Sequence, residues 1–197
     1  MLKIGLTGGI GCGKSTASEF LRELGAYIFD ADTEAKKLLT NNPTVQSELI
    51  AEFGSDIMGH DYTISKEKLA RIAFQDEDHQ SRLNLVVHPY LYNLIDESFQ
   101  KIEKKKNYPL FVVDGAMIYE SGYDQHLDYV IVITALLKNR MERSTSRGTL
   151  TREQILQRME LQWSEEVKTG LADFVIQNDD SEEYLKKEIT DIFQQIA

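Results

Sequence analysis

An α/β fold is predicted from three observations: strand and helix signals alternate along the chain, an N-terminal apolar run opens into a glycine-rich turn, and an amphipathic helix closes the sequence. The run Leu2-Lys3-Ile4-Gly5-Leu6-Thr7 reads as a buried strand, and Thr16 to Leu24 reads as a helix. Between them stands Gly8-Gly9-Ile10-Gly11-Cys12-Gly13-Lys14-Ser15-Thr16, which matches G-x-x-x-x-G-K-[ST] in the strand-to-helix setting that the motif needs. Polyphosphate binding requires many donors at close range, and glycines let backbone N–H groups approach without a Cβ in the way. The following helix aims its positive end at the same place. Gly11, Cys12, Gly13, Lys14, Ser15 and Thr16 are therefore expected to hold a nucleotide, with Lys14 reaching the outer phosphates and the Ser15 hydroxyl holding Mg²⁺.

Leu24-Gly25 ends the first helix, and Ala26-Tyr27-Ile28-Phe29 is predicted as a second short strand. It delivers Asp30-Ala31-Asp32 to its C-terminal end, the edge where ligands bind in open parallel sheets. If extension persists, Asp30 and Asp32 point the same way, from a strand expected beside that of the phosphate loop. Asp32, further out, is the preferred base for an acceptor hydroxyl; the alternative, equally open on spacing, is a helix N-cap for Thr33 to Leu39.

From Thr33 to Lys106 the pattern is almost wholly helical, with breaks expected at Asn41-Asn42-Pro43, Gly54, Gly59 to Thr63 and His88-Pro89. This is longer than a crossover helix needs, and it is read as an insert that helps form the pocket of a second substrate. A third strand, Leu110 to Asp114, leads into Gly115-Ala116-Met117-Ile118-Tyr119-Glu120. Four apolar residues before Asp114 resemble the acidic element that orders water on Mg²⁺, although Gly115 follows where many motor ATPases have Glu. The fourth strand, Tyr129 to Thr134, runs into a helix with Arg140, Arg143 and Arg147. Arginines at 143 and 147 would repel each other on a bare helix, so the segment Arg140 to Arg158 is read as a lid that closes on phosphates and excludes water. Thr151 and Gln154 form a capping box for the next helix, Phe174-Val175-Ile176 is the fifth strand, and Glu182 to Ile196 is the last helix.

With 197 residues, 42% of them hydrophobic, and three prolines, the chain can bury a substantial core. A net charge of −10 argues against non-specific nucleic-acid binding, and the run Lys101 to Lys106 is read as a helix end whose cations suit the dipole. No apolar segment approaches membrane-spanning length and no signal-peptide pattern is present, so a cytoplasmic protein without a membrane partner is expected, either monomeric or a small homo-oligomer. The lone cysteine, Cys12, excludes an internal disulfide; near a helix N-terminus its thiol could be acidified, but it is read as filling a free motif position. His60, His79, His88 and His126 are scattered, so the implied metal is the Mg²⁺ that accompanies the nucleotide.

Leu6 to Gly11 continuing into Gly13-Lys14-Ser15-Thr16, Asp30-Ala31-Asp32, His88-Pro89, Glu120, Arg143 with Arg147, Arg158 with Gln162, and Ala172-Asp173 leading to Asn178 stand in one order. In that order the chain resembles the dephospho-CoA kinases. The resemblance implies a P-loop NTPase-type three-layer α/β fold with a five-stranded parallel sheet, as a core of residues 1–30, 107–139 and 171–197. It further implies a helical acceptor-binding region at 31–106 and a helical lid at 140–170. ATP is the implied co-substrate, and transfer to the ribose 3′-hydroxyl of dephospho-CoA is the implied reaction. Asp32 then corresponds to the base, Arg143 to a lid residue on the phosphates, and His88 to the acceptor side; Glu120 and Arg147 are expected to contact substrate. The loop before Glu120 departs from the family's usual Pro-Leu-Leu-Phe-Glu, keeping only the Glu. Alternatives are a kinase for another nucleotide or small alcohol, and a non-catalytic ATP-binding regulator. A GTP-dependent switch lacks support, because there is no Asn-Lys-x-Asp and the D-x-x-G at Asp56 to Gly59 falls in the insert.

Overall fold

A computed structural model describes residues 1–60 and 63–197. Five strands form one parallel sheet: β1 (Leu2–Thr7), β2 (Tyr27–Asp30), β3 (Leu110–Asp114), β4 (Tyr129–Thr134) and β5 (Phe174–Gln177), in the order β2-β3-β1-β4-β5. The central strands are near-continuous apolar runs because helices cover both faces, so every second residue cannot be polar. On one face Ile4, Leu6, Leu110, Val112, Ile131 and Ile133 pack against Ala17 and Leu21 of α1 (Lys14–Glu23) and Leu185 and Ile189 of α9 (Glu182–Ile196). On the other, Val130 and Val132 pack with Tyr119. At the edge, β5 leaves Val175 exposed.

The chain divides into two compact units, residues 1–30 with 97–197, and residues 31–96. The first holds the sheet together with α1, α6 (Leu137–Ser146), α7 (Arg152–Glu160), α8 (Glu165–Leu171) and α9. In the second lie α2 (Ala31–Asn41), α3 (Pro43–Phe53) and α4 (Lys66–Ala73), and α5 (Glu77–Glu103) begins there. Asn42 caps α3 by accepting from the amides of Thr44 and Val45, with Pro43 in the first turn where its missing N–H costs nothing. The expected break at Asn41-Asn42-Pro43 is thus present, and Gly54 ends α3 at φ 77°. Of the expected break from Gly59 to Thr63, Asp61 and Tyr62 lie outside the described residues.

Three local readings are corrected. α1 begins at Lys14, two residues before the expected Thr16, because Gly13 at φ 101° turns the chain directly into the helix. The same helix ends in a Schellman arrangement, with the amides of Gly25 and Ala26 donating to the carbonyls of Arg22 and Leu21 at 3.0 and 2.9 Å. Ala26 is spent on that closure, so β2 starts one residue late and includes Asp30. His88-Pro89 does not interrupt α5. Pro89 is exposed, as is Leu85, whose carbonyl loses its partner at a position open to water, while Val87, Leu91 and Ile95 are buried. Among the described residues, no helix is long and apolar enough to cross a membrane.

Candidate active site at the phosphate loop

The parallel arrangement brings the C-terminal ends of all five strands to one edge, with Thr7 of β1 at its centre. Asp114 ends β3 and Thr134 ends β4, on either side of β1. Asp30 lies opposite Asp114 in register, since β2 pairs with β3. This corrects the expectation that β2 lies beside the loop's strand: chain order is not strand order in a doubly wound sheet.

The loop folds tightly because its glycines admit what other residues cannot. Gly11 and Gly13 have φ of 80° and 101°. A Cβ at Gly11 would also meet the Arg140 carbonyl and Ser144, and one at Gly13 would meet the Asn178 side-chain amide. Among the described residues no side chain caps α1, so its N-terminal amides and the positive end of its dipole are left to the loop. Lys14 Nζ is ion-paired to Asp114, and the Ser18 hydroxyl donates to the same carboxylate. Asp114 is buried, so its charge is sustained by these two partners. Ser15 is exposed, with an Arg147 N–H 3.4 Å from its hydroxyl oxygen.

Asn178, immediately after β5, stitches three segments together. Its side chain donates to the Cys12 carbonyl at 2.8 Å, its amide donates to the Thr134 carbonyl at 2.7 Å, and its carbonyl accepts from Arg143 at 2.9 Å. Arg143 is thereby tied to the strand edge next to the loop. Arg140 is buried: its Nε donates to the Ile10 carbonyl at 3.0 Å and its guanidinium pairs with Glu165 at 3.1 Å. Glu165 in turn accepts from the Thr134 hydroxyl at 2.6 Å. Gln162 accepts the Ile10 N–H at 3.1 Å. The Thr151–Gln154 capping box is present at the start of α7.

Cys12 is buried, and that burial pushes its thiol up to about 11, the reverse of the acidification a helix N-terminus can bring. Its reaction with a neutral thiol reagent at pH 8 should therefore be slow in the folded protein and fast after unfolding; equal rates would contradict this placement.

Glu120, expected at the substrate, has a buried carboxylate. Oε1 accepts from Lys168 Nζ at 2.7 Å and from the Trp163 amide at 2.9 Å, and Lys168 also donates to the Ala116 carbonyl at 3.1 Å. Lys168 has no exposed surface, and Glu120 Oε2 is buried without a hydrogen-bond partner among the described residues. The pair joins the loop after β3 to α8 itself, and the Trp163 amide joins it to the segment leading into that helix. Nothing in Glu165-Glu166-Val167-Lys168 marks the lysine as buried, so sequence reasoning missed it. Replacing Lys168 with Met would strand a buried carboxylate, at a cost of about 3–5 kcal/mol. The melting temperature should fall by roughly 10 °C, as measured by thermal unfolding; an unchanged value would show the pair to be expendable.

In the second unit, Asp32 lies in the first turn of α2 and is half-buried. Extension stops at Asp30 and the helix starts at Ala31, so Asp30 and Asp32 do not share one face of a strand, and Asp32 sits inside the helix rather than capping it. His88 lies within α5, stacked on Tyr92 with ring centroids 5.7 Å apart. Burial pushes its pKa down to about 4, so it is a neutral imidazole at physiological pH.

The family model described as "Dephospho-CoA kinase" matches residues 2–183. A dephospho-CoA kinase from Aquifex aeolicus is 33% identical over 197 residues, spanning 100% of this chain and 98% of the relative. Among solved structures, a Thermus thermophilus protein superposes with a TM-score of 0.82 at 29% identity, covering 100% of this chain and 98% of that one. The dephospho-CoA kinase from Campylobacter jejuni gives 0.69 at 28% identity, covering 98% and 96%. The family model's match over residues 2–183, together with 33% identity to the Aquifex aeolicus enzyme over the whole chain, places this chain in the dephospho-CoA kinase family.

Proposed function

We propose that the chain transfers the γ-phosphoryl group of ATP to the ribose 3′-hydroxyl of dephospho-CoA, giving CoA and ADP. The observation that carries this is the uncapped α1 N-terminus behind the glycine loop, with Lys14 poised at Asp114, in a chain of this family. The amides of Gly11 to Thr16 receive the phosphates, and Lys14 exchanges its carboxylate partner for the outer phosphates as nucleotide enters.

Ser15 and Asp114 offer hard oxygen donors of the kind Mg²⁺ takes, and they are the residues assigned to hold it, Asp114 through water. That ion would neutralise charge on the β- and γ-phosphates. Asp32 is assigned as the base: the 3′-oxygen bonds to phosphorus as the bond to the ADP oxygen breaks, and the hydroxyl proton passes to the Asp32 carboxylate. Arg143 and Arg147 stabilise charge on the migrating group, and within the helical lid assigned to 140–170 the stretch between the anchored Arg140 and Gln162 closes over it. Residues 31–106 are assigned to the acceptor. His88, being neutral, would serve there as a hydrogen-bonding group and not as a cation. Glu120 supports the 115–120 loop through Lys168, so its part in acceptor binding is to hold that loop in place.

The test is ADP release by the purified protein with ATP and Mg²⁺, with dephospho-CoA present, absent, or replaced by other nucleotides and small alcohols. Release that depends on dephospho-CoA supports the reading. A higher kcat/KM for another alcohol would replace the acceptor, and ATP binding with no turnover on any acceptor would favour a regulatory role.

A further inference from the structure

Glycine-rich loops are conformationally loose, and ordering one around a ligand costs entropy unless something fixes it beforehand. In this loop the Ile10 peptide is held at both polar ends from outside. Its N–H is accepted by Gln162 at 3.1 Å, and its carbonyl accepts from Arg140 Nε at 3.0 Å. Both grips are themselves anchored. Arg140 is buried and paired with Glu165, which is held by Thr134 at the end of β4. Gln162 precedes Trp163, whose amide is bound by Glu120, and Glu120 is fixed by the buried Lys168. The space beside the loop is filled as well: a Cβ on Gly9 would run into the Arg140 guanidinium and the Glu165 carboxylate.

Ile10 lies outside the Gly11–Thr16 stretch assigned to the phosphates, so an acceptor on its N–H does not compete with nucleotide there. A peptide plane fixed at residue 10 sets the direction in which the chain leaves toward Gly11 and the donors beyond it. We propose that Gln162 is a positioning residue for the phosphate loop, holding the Ile10 peptide so that the loop has its phosphate-binding shape before ATP arrives. This rests on the reading of the loop as an ATP site. Gln162 acts through Ile10 and the loop, and it leaves the acceptor untouched.

The test is Gln162→Met, which keeps the side chain's length and removes its acceptor. The KM for ATP should rise about tenfold, the equivalent of one lost hydrogen bond that leaves its donor unpaired, while the KM for dephospho-CoA stays within about twofold. Hydrogen exchange at the Ile10 amide should quicken by about the same factor, with the melting temperature of the ligand-free protein lowered by no more than about 5 °C. An ATP KM within about twofold of the parent's overturns the proposal, as does a rise in both KM values together with a larger fall in melting temperature, which would mark Gln162 as a general structural contact. The two readings fail separately. If the parent turns over dephospho-CoA and the variant matches it, positioning alone falls; if the parent binds ATP without using dephospho-CoA but the variant binds ATP more weakly, the acceptor assignment alone falls.

Discussion

Lys14→Ala should lower kcat/KM for ATP by about a thousandfold, roughly 4 kcal/mol of transition-state stabilisation. The loop amides are dipoles, but Lys14 carries a full charge beside them, and its partner Asp114 is an anion that would otherwise face the incoming triphosphate. Alanine removes the cation and leaves Asp114 buried with the Ser18 hydroxyl as its remaining described partner, so the repulsion grows as the attraction is lost. Steady-state kinetics across ATP concentrations measure the loss, and thermal unfolding of the ligand-free variant separates it from instability. A variant with near-parental kcat/KM would remove Lys14 from phosphate chemistry and leave it a structural partner of Asp114.

Asp32→Asn should cut kcat by about a hundred- to ten-thousandfold, the usual contribution of a general base, with KM for ATP within about twofold. Asparagine keeps the shape and the polar contact but cannot take the proton from the acceptor hydroxyl. A role limited to the start of α2 predicts something different. A carboxylate in the first helical turn contributes only about 0.3–1 kcal/mol to stability through the dipole and nothing to kcat. Unchanged kcat with a slightly lower melting temperature would therefore assign Asp32 to the helix, and Asp30, at the end of β2 in register with Asp114, would be the next carboxylate to replace.

The parts of the fold that depend on local pattern were readable in the sequence. Leu110 to Asp114 and Tyr129 to Thr134 are apolar runs bounded by polar turns, and the last helix carries Leu185, Ile189, Ile192 and Ile196 on one face; all three elements occupy the expected residues. Errors arose where a residue's local tendency yielded to its surroundings. Ala26 reads as strand but closes α1, and Pro89 reads as a break but sits on the solvent side of a helix pinned by Val87, Leu91 and Ile95.

The site divides the same way. The phosphate loop is contiguous, so its spacing announces it. The groups that hold it are not: Gln162 lies 152 positions from Ile10, and Lys168 is one lysine among many until the fold buries it against Glu120. Nor does chain order disclose that β3 separates β2 from β1, which alters where Asp30 arrives. Contacts between side chains distant in sequence carry no periodicity, and the hydrogen bonds to the Ile10 peptide are of that kind.

The most direct test of the central claim is a single turnover in which enzyme in excess over γ-phosphate-labelled ATP is mixed with dephospho-CoA and Mg²⁺, and the label is located in the product. Transfer to a ribose 3′-oxygen, giving a molecule heavier than dephospho-CoA by one phosphoryl group and with no label in inorganic phosphate, is the predicted result. Label released as inorganic phosphate at the same rate with and without dephospho-CoA would contradict it, and would make the protein a nucleotide hydrolase.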